Sequence, residues 1–386
     1  MGRVRETHLL IIGAGPFGLG MAACAQHLEL DYLIVGEPMD LWKSNMPREM
    51  ILRSHVDWHL DPLETHSLEH YLTTRGLSQE SVEPLSRDFY LEYADWFQSE
   101  KNIKAVREQV QDLDTKDGNF VAKLGNGETI VAKNVVMAIG FRYFKNIPAE
   151  LQAMLPSGHY SHTCDLVEFE HLHNKRCLII GGRQSAFEWA ALLVECGAAE
   201  VHVAHRHPTP LFQDSEWGWI NDTVSRFVDD PDWYRNLLGD DKLDVHAKFA
   251  EARIKLEPWL WPRIDKDNVK LWPQSQVTSC TERPDGKLDV VMDNGQSLVI
   301  DHVILATGYQ VNMNQVPFIG GNIRAKLNLN NGYPVLDNRL QSSIERLFIT
   351  SLPAIQDFGP FFAFTVAVKV SAKVIARALR QTGEEK

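Results

Sequence analysis

The sequence has few cysteines, and none are spaced as a redox pair. Five cysteines occur in 386 residues, at positions 24, 164, 177, 196 and 280, and no two of them form a C-x-x-C motif. An odd number without such spacing does not suit a disulfide framework, so buried structural thiols are the favoured interpretation. His55 and His59 lack a second ligand pair at zinc-site spacing, so we predict no metal.

An excess of positive charge and long apolar runs are also absent. The formal net charge is −12, which argues against a nucleic-acid partner because phosphates need a basic surface. No apolar run reaches the length of a membrane span. Strand Leu9–Ile12 leads straight into glycines, without the apolar region and cleavage site of a signal peptide. We therefore expect a soluble, cytoplasmic protein of two or three domains.

What the sequence does contain is a repeated nucleotide-binding pattern. Gly13 and Gly181 each close an apolar strand and are 168 positions apart. Gly127 and Gly295 have the same offset, each in an Asn-Gly pair between alternating apolar runs, which is a strong hairpin signal. A later strand ends in Ala-x-Gly in each half, again at this offset. Three matches at one offset predict two related nucleotide-binding units.

The first turn, IIGAGPFGL, has the complete G-x-G-x-x-G spacing between a strand and a helix. The glycines permit a tight turn, a close backbone approach to a diphosphate and helix-on-strand packing. The next strand, DYLIVGE, ends at Glu37, which is placed to bond a ribose 2′-hydroxyl; a solvated loop acid is the alternative. The predicted contacts of the first dinucleotide are Gly13, Gly15, Pro16, Phe17, Gly18 and Glu37.

The second turn, IIGGRQSAFEWAALL, has Arg183 at the middle glycine and Ala186 at the last. An arginine there either crowds the diphosphate or turns outward and binds a phosphate with its own charge. The following strand, EVHVAHRH, ends in basic residues that suit a 2′-phosphate, which favours NADPH over NADH; a solvated basic cluster is the alternative. The predicted contacts here are Gly181, Gly182, Arg183, Gln184, Ser185 and Arg206.

Two dinucleotide sites in one chain indicate hydride transfer from a nicotinamide to a second cofactor, for which FAD is the natural choice. With these motifs the chain resembles the single-component flavin-dependent monooxygenases, which include flavin-containing, Baeyer–Villiger and N-hydroxylating branches. IIGAGPFGL is close to the FAD fingerprint of the N-hydroxylating branch, and LATGY, at 305–309, matches the late motif of these enzymes. The second turn resembles their GGGQSA sequence except at Arg183.

The resemblance implies further cofactor contacts. DLWKSNMP has a tryptophan where the families have one after two glycines, and GHYSHTCD, at 158–165, keeps part of a linker motif. The run from 359 onward predicts a terminal helix, which in related flavoproteins points its N-terminus at the flavin; a merely packed helix is the alternative. The contacts implied in this way are Trp42, Arg53, Ser54, Thr307, Gly308, Tyr309, Gly359 and Pro360.

The segment MPREMILRSHVDWHLDP, at 46–62, follows the second strand, where related chains wrap the flavin ring. Its polar groups lie among apolar residues, as in a ligand pocket, although an ordinary loop has the same composition. Histidine can donate or accept a proton near neutral pH. The candidate catalytic residues are Arg53, His55, Asp57 and His59.

The predicted fold is α/β, with two Rossmann-like three-layer dinucleotide-binding domains and the NADPH domain inserted into the FAD domain. We assign 1–160 and 301–386 to the FAD-binding domain and 165–300 to the NAD(P)H-binding domain. Residues 62–100 predict amphipathic helices. Residues 212–264 predict a helical insertion with five of the ten tryptophans, which either join the core or cap a substrate cavity.

The resemblance implies an NADPH- and O2-dependent monooxygenase that oxygenates a small-molecule metabolite through a flavin hydroperoxide. N-, S- and C-hydroxylation all stay open, as does NADH as the donor. An NAD(P)H-dependent flavoprotein reductase without a C-x-x-C pair is the first alternative, and a flavoprotein that only binds a ligand is a distant third. We expect neither nucleic acid nor membrane as a partner, and a homo-oligomer stays open.

Overall fold

The computed structural model describes residues 3–215 and 217–384, which form an α/β protein with two main sheets. The strands are β1 (Val4–Ile12), β2 (Tyr32–Val35), β3 (Ala105–Val106), β4 (Val110–Lys116), β5 (Asn119–Leu124), β6 (Thr129–Met137), β7 (Tyr160–His162), β8 (Arg176–Ile180), β9 (Glu200–His205), β10 (Val269–Pro273), β11 (Val277–Glu282), β12 (Leu288–Met292), β13 (Ser297–Ile300), β14 (His302–Leu305), β15 (Leu329–Asn330), β16 (Tyr333–Pro334) and β17 (Leu347–Ile349). The helices are α1 (Pro16–His27), α2 (Asp40–Ser44), α3 (Leu68–Arg75), α4 (Arg87–Glu100), α5 (Ala149–Met154), α6 (Gln184–Glu195), α7 (Trp219–Asp229), α8 (Trp233–Asn236), α9 (Gly239–Ile254), α10 (Trp261–Ile264), α11 (Gly321–Lys326), α12 (Ile355–Phe358) and α13 (Val368–Glu384).

The first sheet has the order β3-β2-β1-β6-β5-β4, and β17 also pairs with β6. Strand β1 is parallel to β2 and β6, whereas β4, β5 and β6 form an antiparallel meander. Leu9, Leu10 and Ile11 are fully buried, as expected for a central parallel strand that is covered on both faces. The carboxyl ends of β1 and β2 therefore lie at one edge, beside the first glycine turn.

The second sheet is wholly parallel, with the order β10-β9-β8-β14-β7. The predicted repeat is confirmed, because β1 ends at Ile12 and β8 at Ile180, and each strand leads through a glycine turn into a helix of 12 residues. The β5–β6 and β12–β13 hairpins lie where the two Asn-Gly pairs predict them. This sheet extends to Leu305, past the predicted domain limit at residue 300.

The predicted helices of residues 62–100 are α3 and α4, which cover the first unit. Ser67 and Ser86 cap them by accepting hydrogen bonds from the backbone of His70 and Phe89. Apolar and aromatic residues of α4 are buried at helical spacing, so this helix seals the side of the first sheet against solvent.

The tryptophan-rich insertion is helical as predicted and belongs to both cores. Trp217 and Phe227 lie in the hydrophobic cluster of the first unit, where Phe227 packs on Phe358 with ring centroids 5.7 Å apart. Leu256 and Leu260, at its other end, lie in the cluster of the second unit. The insertion thereby ties the two units together.

The prediction of a continuous terminal helix from Gly359-Pro360 is wrong. Short 3₁₀ helices span Pro360–Ala363 and Thr365–Ala367, and α13 begins only at Val368. Phe364 between them is extended, with φ −125° and ψ 159°. This break lets the neighbouring phenylalanines enter the aromatic core, where Phe361 and Phe362 are fully buried. Burial of these rings outweighs the continuation of a helix.

Candidate functional site

The first glycine turn is shaped by backbone contacts that exclude side chains. Gly13 has φ +105°, and its N–H donates to the carbonyl of Val35 at 2.8 Å. A Cβ on Gly13 would lie 2.3 Å from the carbonyl oxygen of Ala138, and one on Gly18 would lie 1.8 Å from the carbonyl oxygen of Gly13. Both positions therefore require glycine.

Gly15 is a glycine for a different reason. It precedes α1 as its N-cap, and a Cβ built on it would meet nothing within 4 Å. Pro16 occupies the first helical turn, Phe17 is buried, and no side chain caps the helix. The free N–H groups of this helix end face open space, so the turn fits a diphosphate.

Glu37 lies beyond β2, beside a surface cavity of about 330 Å³ that Arg107, Gln109 and Gly125 also line. Its carboxylate is 3.5 Å from the Arg107 guanidinium, and both side chains are largely exposed. An exposed ion pair of this kind is weak and yields to a ligand. A ribose hydroxyl could therefore compete for the predicted Glu37 contact.

Trp42 is buried, and its ring stacks on Tyr90 with centroids 4.7 Å apart and planes at 14°. Its backbone carbonyl accepts a hydrogen bond from Arg87 at 3.4 Å. These contacts place Trp42 in the packing between α2 and α4. Its predicted contact with the cofactor stays a prediction.

The second glycine turn repeats the geometry of the first with different residues. Gly181 has φ +150°, donates its N–H to the carbonyl of Ala204 at 3.0 Å, and has no room for a Cβ beside Ala306. A Cβ on Gly182 would lie 2.5 Å from the Cβ of His205. Both glycines of this turn are therefore required by packing.

Arg183 takes the place of Gly15 as the residue before the helix. Its backbone is extended, with φ −112° and ψ −178°, so the side chain introduces no strain. The side chain is exposed, although the surrounding protein lowers the pKa of its guanidinium through desolvation. Arg183 therefore projects from the helix N-terminus in the direction that is empty in the first unit.

The neighbours of Arg183 connect the turn to the insertion. The Gln184 Oε1 atom accepts a hydrogen bond from the backbone N–H of Glu257 at 3.2 Å. The Nε2 atom of Gln184 is buried and has no partner within the described chain. Ser185 is exposed in the first turn of α6. Gln184 thus has a structural contact and an unused donor, whereas Ser185 is open to a ligand.

Arg206 follows β9 and is exposed, as a nucleotide-binding residue must be. His205 beside it is 3% exposed, and burial lowers the pKa of its imidazole. The Nδ1 atom of His205 bonds to the carbonyl of His207 at 2.7 Å, so Nδ1 carries the hydrogen. Of the basic pair His205–Arg206, only Arg206 is both charged and accessible.

Residues 307–309, in the late motif, lie where the chain returns from the second unit to the first, and they bond to residues of neighbouring loops. Thr307 Oγ1 donates to the carbonyl of Asn146 at 2.5 Å, and Gly308, with φ +79°, accepts a hydrogen bond from His162 Nε2 at 3.1 Å. The Tyr309 ring packs edge-on against Phe141, with centroids 4.9 Å apart. Burial raises the pKa of Tyr309.

Gly359 and Pro360 lie in the aromatic core. Gly359 has φ +85°, and a Cβ on it would lie 3.0 Å from the rings of Phe361 and Tyr234. Pro360 opens the short 3₁₀ helix that follows. Val368, the actual start of α13, packs against Gly20 in the middle of α1.

The polar residues of segment 46–62 do not converge on one point. Arg53 Nε donates to Glu257 Oε1 at 2.7 Å, and its guanidinium lies 5.3 Å from the centre of the Trp217 ring. Ser54 Oγ lies 3.4 Å from Thr365 Oγ1. These two residues therefore face the insertion and the segment before α13.

The other candidate catalytic residues have partners of their own. His55 Nδ1 lies 3.8 Å from a carboxylate oxygen of Glu83, and Asn221 Nδ2 donates to Asp57. His59 is 4% exposed, and its Nδ1 accepts the backbone N–H of Asp61 at 3.2 Å. Burial, reinforced by the charge of Lys369, lowers the pKa of His59. The structure thus separates the four candidate side chains into different environments.

The same segment touches the second unit at its nucleotide end. The backbone N–H of Ile51 donates to Glu188 Oε1 on α6 at 3.4 Å. Just before the segment, Asn45 Nδ2 donates to the carbonyl of Cys164, which immediately precedes the second unit, at 2.9 Å. Glu188 is fully buried and paired with Arg263 at 2.7 Å, and burial raises its pKa. Segment 46–62 therefore contacts the second unit in the first half of α6.

Sequence reasoning missed the partners of these residues. Asn221 and Glu257 come from the insertion, and Asn146 comes from the loop after β6. They belong to no motif, and their partners in the first unit are more than a hundred positions away. The only available signal was that they are polar residues in or beside aromatic sequence.

All five cysteines lie in the described chain as free thiols. Burial raises the pKa of Cys24 and of Cys177 to about 12. Within the described ranges, no cluster of histidine, cysteine and carboxylate side chains could hold a metal ion. No helix of the described residues is long and apolar enough to cross a membrane.

Comparison with known proteins identifies the family. Residues 10–229 match the family described as pyridine nucleotide-disulphide oxidoreductase. A curated relative, the FAD-dependent urate hydroxylase of Xanthomonas campestris pv. campestris, is 23% identical over 212 residues, which are 50% of this chain and 44% of that protein. The match thus spans less than half of that relative's length.

Solved structures show the same fold over nearly the whole chain. The ornithine N-hydroxylase of Kutzneria sp. 744 superposes with a TM-score of 0.79 at 13% identity and covers 98% of this chain and 100% of its own. The L-lysine 6-monooxygenase of Pseudomonas syringae gives 0.75 at 20% identity, covering 97% and 99%. The bacillithiol disulfide reductase of Staphylococcus aureus gives 0.67 at 17% identity, covering 98% and 99%.

The predicted α/β fold and the predicted likeness to the flavin monooxygenases are confirmed at the level of the fold. The prediction of an oxidoreductase is confirmed by the family match, which covers more than half of the chain. This chain is a member of the pyridine nucleotide-disulphide oxidoreductase family.

Proposed function

We propose that this protein is a flavin-dependent monooxygenase of the cytoplasm that uses NADPH and O2 to oxygenate a small metabolite. FAD would occupy the first unit, bounded by 1–160 and the last part of the chain, and NADPH the second. The observation that carries the proposal is the position of segment 46–62, which follows β2 and α2 of the first unit. It contacts Glu188 of α6 through the backbone of Ile51, and Arg53 bonds Glu257, whose N–H donates to Gln184 at the beginning of α6. In this arrangement the flavin ring of FAD and the nicotinamide of NADPH would meet at segment 46–62.

The residues that would hold the cofactors fit them. For FAD, the open space at Gly15 and the uncapped end of α1 suit the diphosphate, and Glu37 suits the ribose. For NADPH, exposed Arg206 suits the 2′-phosphate, and exposed Arg183, at the residue before α6, would face the diphosphate. When bound, FAD supplies the hydride acceptor and the electrons that activate O2.

The chain's own residues supply positioning and exclusion of water more than acid–base chemistry. Aromatic rings of the insertion pack against those of the segment before α13, and together they form an apolar surface beside segment 46–62 that would exclude water. His59 is held neutral by burial, so it is a poor proton donor at neutral pH. Asp57 keeps one buried carboxylate oxygen without a partner among the described residues, and this oxygen is the candidate acceptor for a substrate N–H.

The substrates of similar proteins guide the choice of test compounds. By their names, the relatives act on urate, ornithine and lysine, and another solved neighbour is a cadaverine monooxygenase. A basic amine would pair with the Asp57 carboxylate, so we propose amines as the first class to test. Sulfides and aromatic rings follow.

The experiment combines anaerobic reduction with isotope labelling. We expect NADPH to bleach the flavin absorbance without oxygen. Under ¹⁸O2 with an accepted substrate, mass spectrometry should find one ¹⁸O atom in the product. Stoichiometric hydrogen peroxide and no labelled product with any amine, sulfide or aromatic compound would contradict the monooxygenase.

The second candidate is a reductase that passes electrons to an acceptor. The similarity in fold to the bacillithiol disulfide reductase favours it. Against it stands the sequence, in which no two of the five cysteines form the C-x-x-C pair of a disulfide exchange centre. Rapid bleaching by NADPH and efficient transfer to an artificial electron acceptor, without oxygenated product, would support this candidate.

A further inference from the structure

Three arginines meet where the second glycine turn faces the first unit. The Arg53 guanidinium donates to the carbonyl of Ala252 at 3.2 Å, which places it beside Arg253 in the last turn of α9. Arg53 also bonds Glu257, whose N–H donates to Gln184, the residue after Arg183. The turn, helix α9 and segment 46–62 thus bring three guanidinium groups into one small region.

Only one of these charges is compensated. Arg53 forms an ion pair with Glu257 at 2.7 Å, and both side chains are largely buried. In the described ranges, no carboxylate lies within ion-pair distance of Arg183 or Arg253. Both of these side chains are exposed and open to a ligand.

The surroundings make this an unfavourable arrangement without an anion. Although part of the Arg253 side chain is exposed, desolvation by the surrounding protein, with the charges of Arg183 and Arg53, lowers the pKa of its guanidinium. Like charges repel each other, and the repulsion is stronger where water is partly excluded. An anion that binds between them therefore stabilises them. Arginine is suited to this because its planar guanidinium binds phosphate oxygens in a bidentate manner.

The position of Arg183 indicates which anion. It stands where the first unit has Gly15 and open space in front of the helix. Two buried polar atoms at or beside the turn have no hydrogen-bond partner among the described residues. They are the Nε2 donor of Gln184 and the Nε2 acceptor of His205, whose ring is 3% exposed. Donors for phosphate and an acceptor for a hydroxyl together suit a diphosphate attached to a sugar.

We propose that Arg183 and Arg253 bind a diphosphate from its outer side, in place of the close backbone approach that a middle glycine allows. If the proposed function holds, this group is the diphosphate of the pyridine nucleotide; the anion site itself does not depend on that function. In this arrangement the altered fingerprint is a working site in which side chains replace backbone.

The substitution Arg183→Gly separates a binding residue from an obstruction by the sign of its effect. If Arg183 binds the diphosphate, the glycine variant binds dinucleotides more weakly. If Arg183 only fills the space, restoring the glycine fingerprint tightens binding. Arg253→Gln tests the second member of the pair, and Arg183→Lys keeps the charge without the bidentate geometry.

The test is calorimetric titration of the purified protein with NADP⁺, NAD⁺ and inorganic pyrophosphate. We expect Arg183→Gly and Arg253→Gln each to weaken binding of all three about tenfold, which corresponds to one charge-assisted contact. NADP⁺ and NAD⁺ should lose the same factor because they share the diphosphate. Arg283→Gln, an exposed arginine with its own aspartates, is the control and should change none of these affinities.

Several results would overturn the proposal. Tighter dinucleotide binding by Arg183→Gly would mean that Arg183 obstructs the site, and unchanged binding would mean that it takes no part. Unchanged binding by Arg253→Gln would exclude Arg253 from the proposed site. Thermal melting must show that each variant is folded, and Arg183→Lys serves if the glycine variant is not. Pyrophosphate binding that depends on both arginines, in a protein that binds neither dinucleotide, would support the anion site and contradict the proposed function.

Discussion

The two glycine turns are built on the same backbone and solve one steric problem in opposite ways. The N–H of Gly13 bonds the end of β2 at Val35, and the N–H of Gly181 bonds the end of β9 at Ala204. The next residue of each turn then meets the residue that follows Val35 or Ala204 in the chain. In the first unit the contact joins Ala14 to Gly36, and in the second it joins Gly182 to His205.

This difference shows that a fingerprint glycine belongs to a pair of residues. In the second unit a Cβ on Gly182 would overlap the His205 Cβ, so Gly182 lacks a side chain. In the first unit the glycine is on the other partner, Gly36, where a Cβ would lie 3.1 Å from the backbone nitrogen of Ala14. The same alignment places Glu37 opposite Arg206 one position later, so the acid of one unit corresponds to the base of the other. Of the three fingerprint glycines of the first unit, Gly15 alone has no steric neighbour, and it is the one that the second unit replaces by a large residue.

The largest effect should come from Gly18→Ala. Its Cβ would overlap the carbonyl of Gly13 at 1.8 Å, so α1 must move away from β1. We expect a loss of about 3 kcal/mol or more in the free energy of unfolding, together with loss of bound FAD. Denaturant unfolding and the flavin content of the purified protein measure both.

Position 186 is the matched control for that substitution, since the second unit already has alanine there and buries it completely. Ala186→Gly should cost no more than about 1 kcal/mol, as expected for glycine in a helix. A Gly18→Ala protein as stable and as rich in flavin as Ala186→Gly would contradict the packing argument.

The reciprocal contact itself can be broken and restored. Gly182→Ala should destabilise the protein by about 2 kcal/mol, because the new methyl group meets the His205 Cβ at 2.5 Å. Adding His205→Gly moves the glycine to the partner that lacks a side chain in the first unit. The double variant should recover most of the lost stability in a thermal melt, and a simple sum of two losses would show that the residues do not interact.

Acid should weaken the second unit through His302. Burial, with the charges of His171 and His159, lowers the pKa of this imidazole from 6.5 to about 4. The unfolded chain therefore takes up a proton that the folded chain refuses, so stability falls as the pH drops from 6.5 towards 4. The loss from this group reaches about 2 kcal/mol at pH 5.

Asn134 occupies the position equivalent to His302 in the first unit, which suggests the variant His302→Asn. Its melting temperature should fall less than that of the unchanged protein between pH 7 and about pH 5. Identical slopes would mean that other histidines carry the acid response.

The smallest effect concerns Arg206, which occupies in the second unit the position that Glu37 has in the first. Arg206→Ala should raise the KM for NADPH about tenfold and leave that for NADH unchanged, since only NADPH has a 2′-phosphate. Equal changes for the two nucleotides in steady-state assays would rule out a contact with that phosphate.

The sequence predicted what depends on local rules and missed what depends on distant contacts. Glycine turns, Asn-Gly hairpins and apolar strands have local signatures, and they lie where predicted. The partner of Arg53 at Glu257 is 204 positions away and belongs to no motif. Helix α13 starts later than predicted because the chain buries Phe361 and Phe362 and then extends at Phe364, which no periodicity indicates.

The insertion that joins both cores has a mechanical consequence. A hinge rotation of one unit against the other would have to pull the Trp217 end of the insertion from one core or the Leu260 end from the other, and also break the Arg53–Glu257 pair. Such a rotation would expose several large buried side chains, and the free energy lost would exceed what one contact with a nucleotide could supply. The two units therefore work as one rigid body, and small-angle scattering should give the same radius of gyration with and without nucleotide.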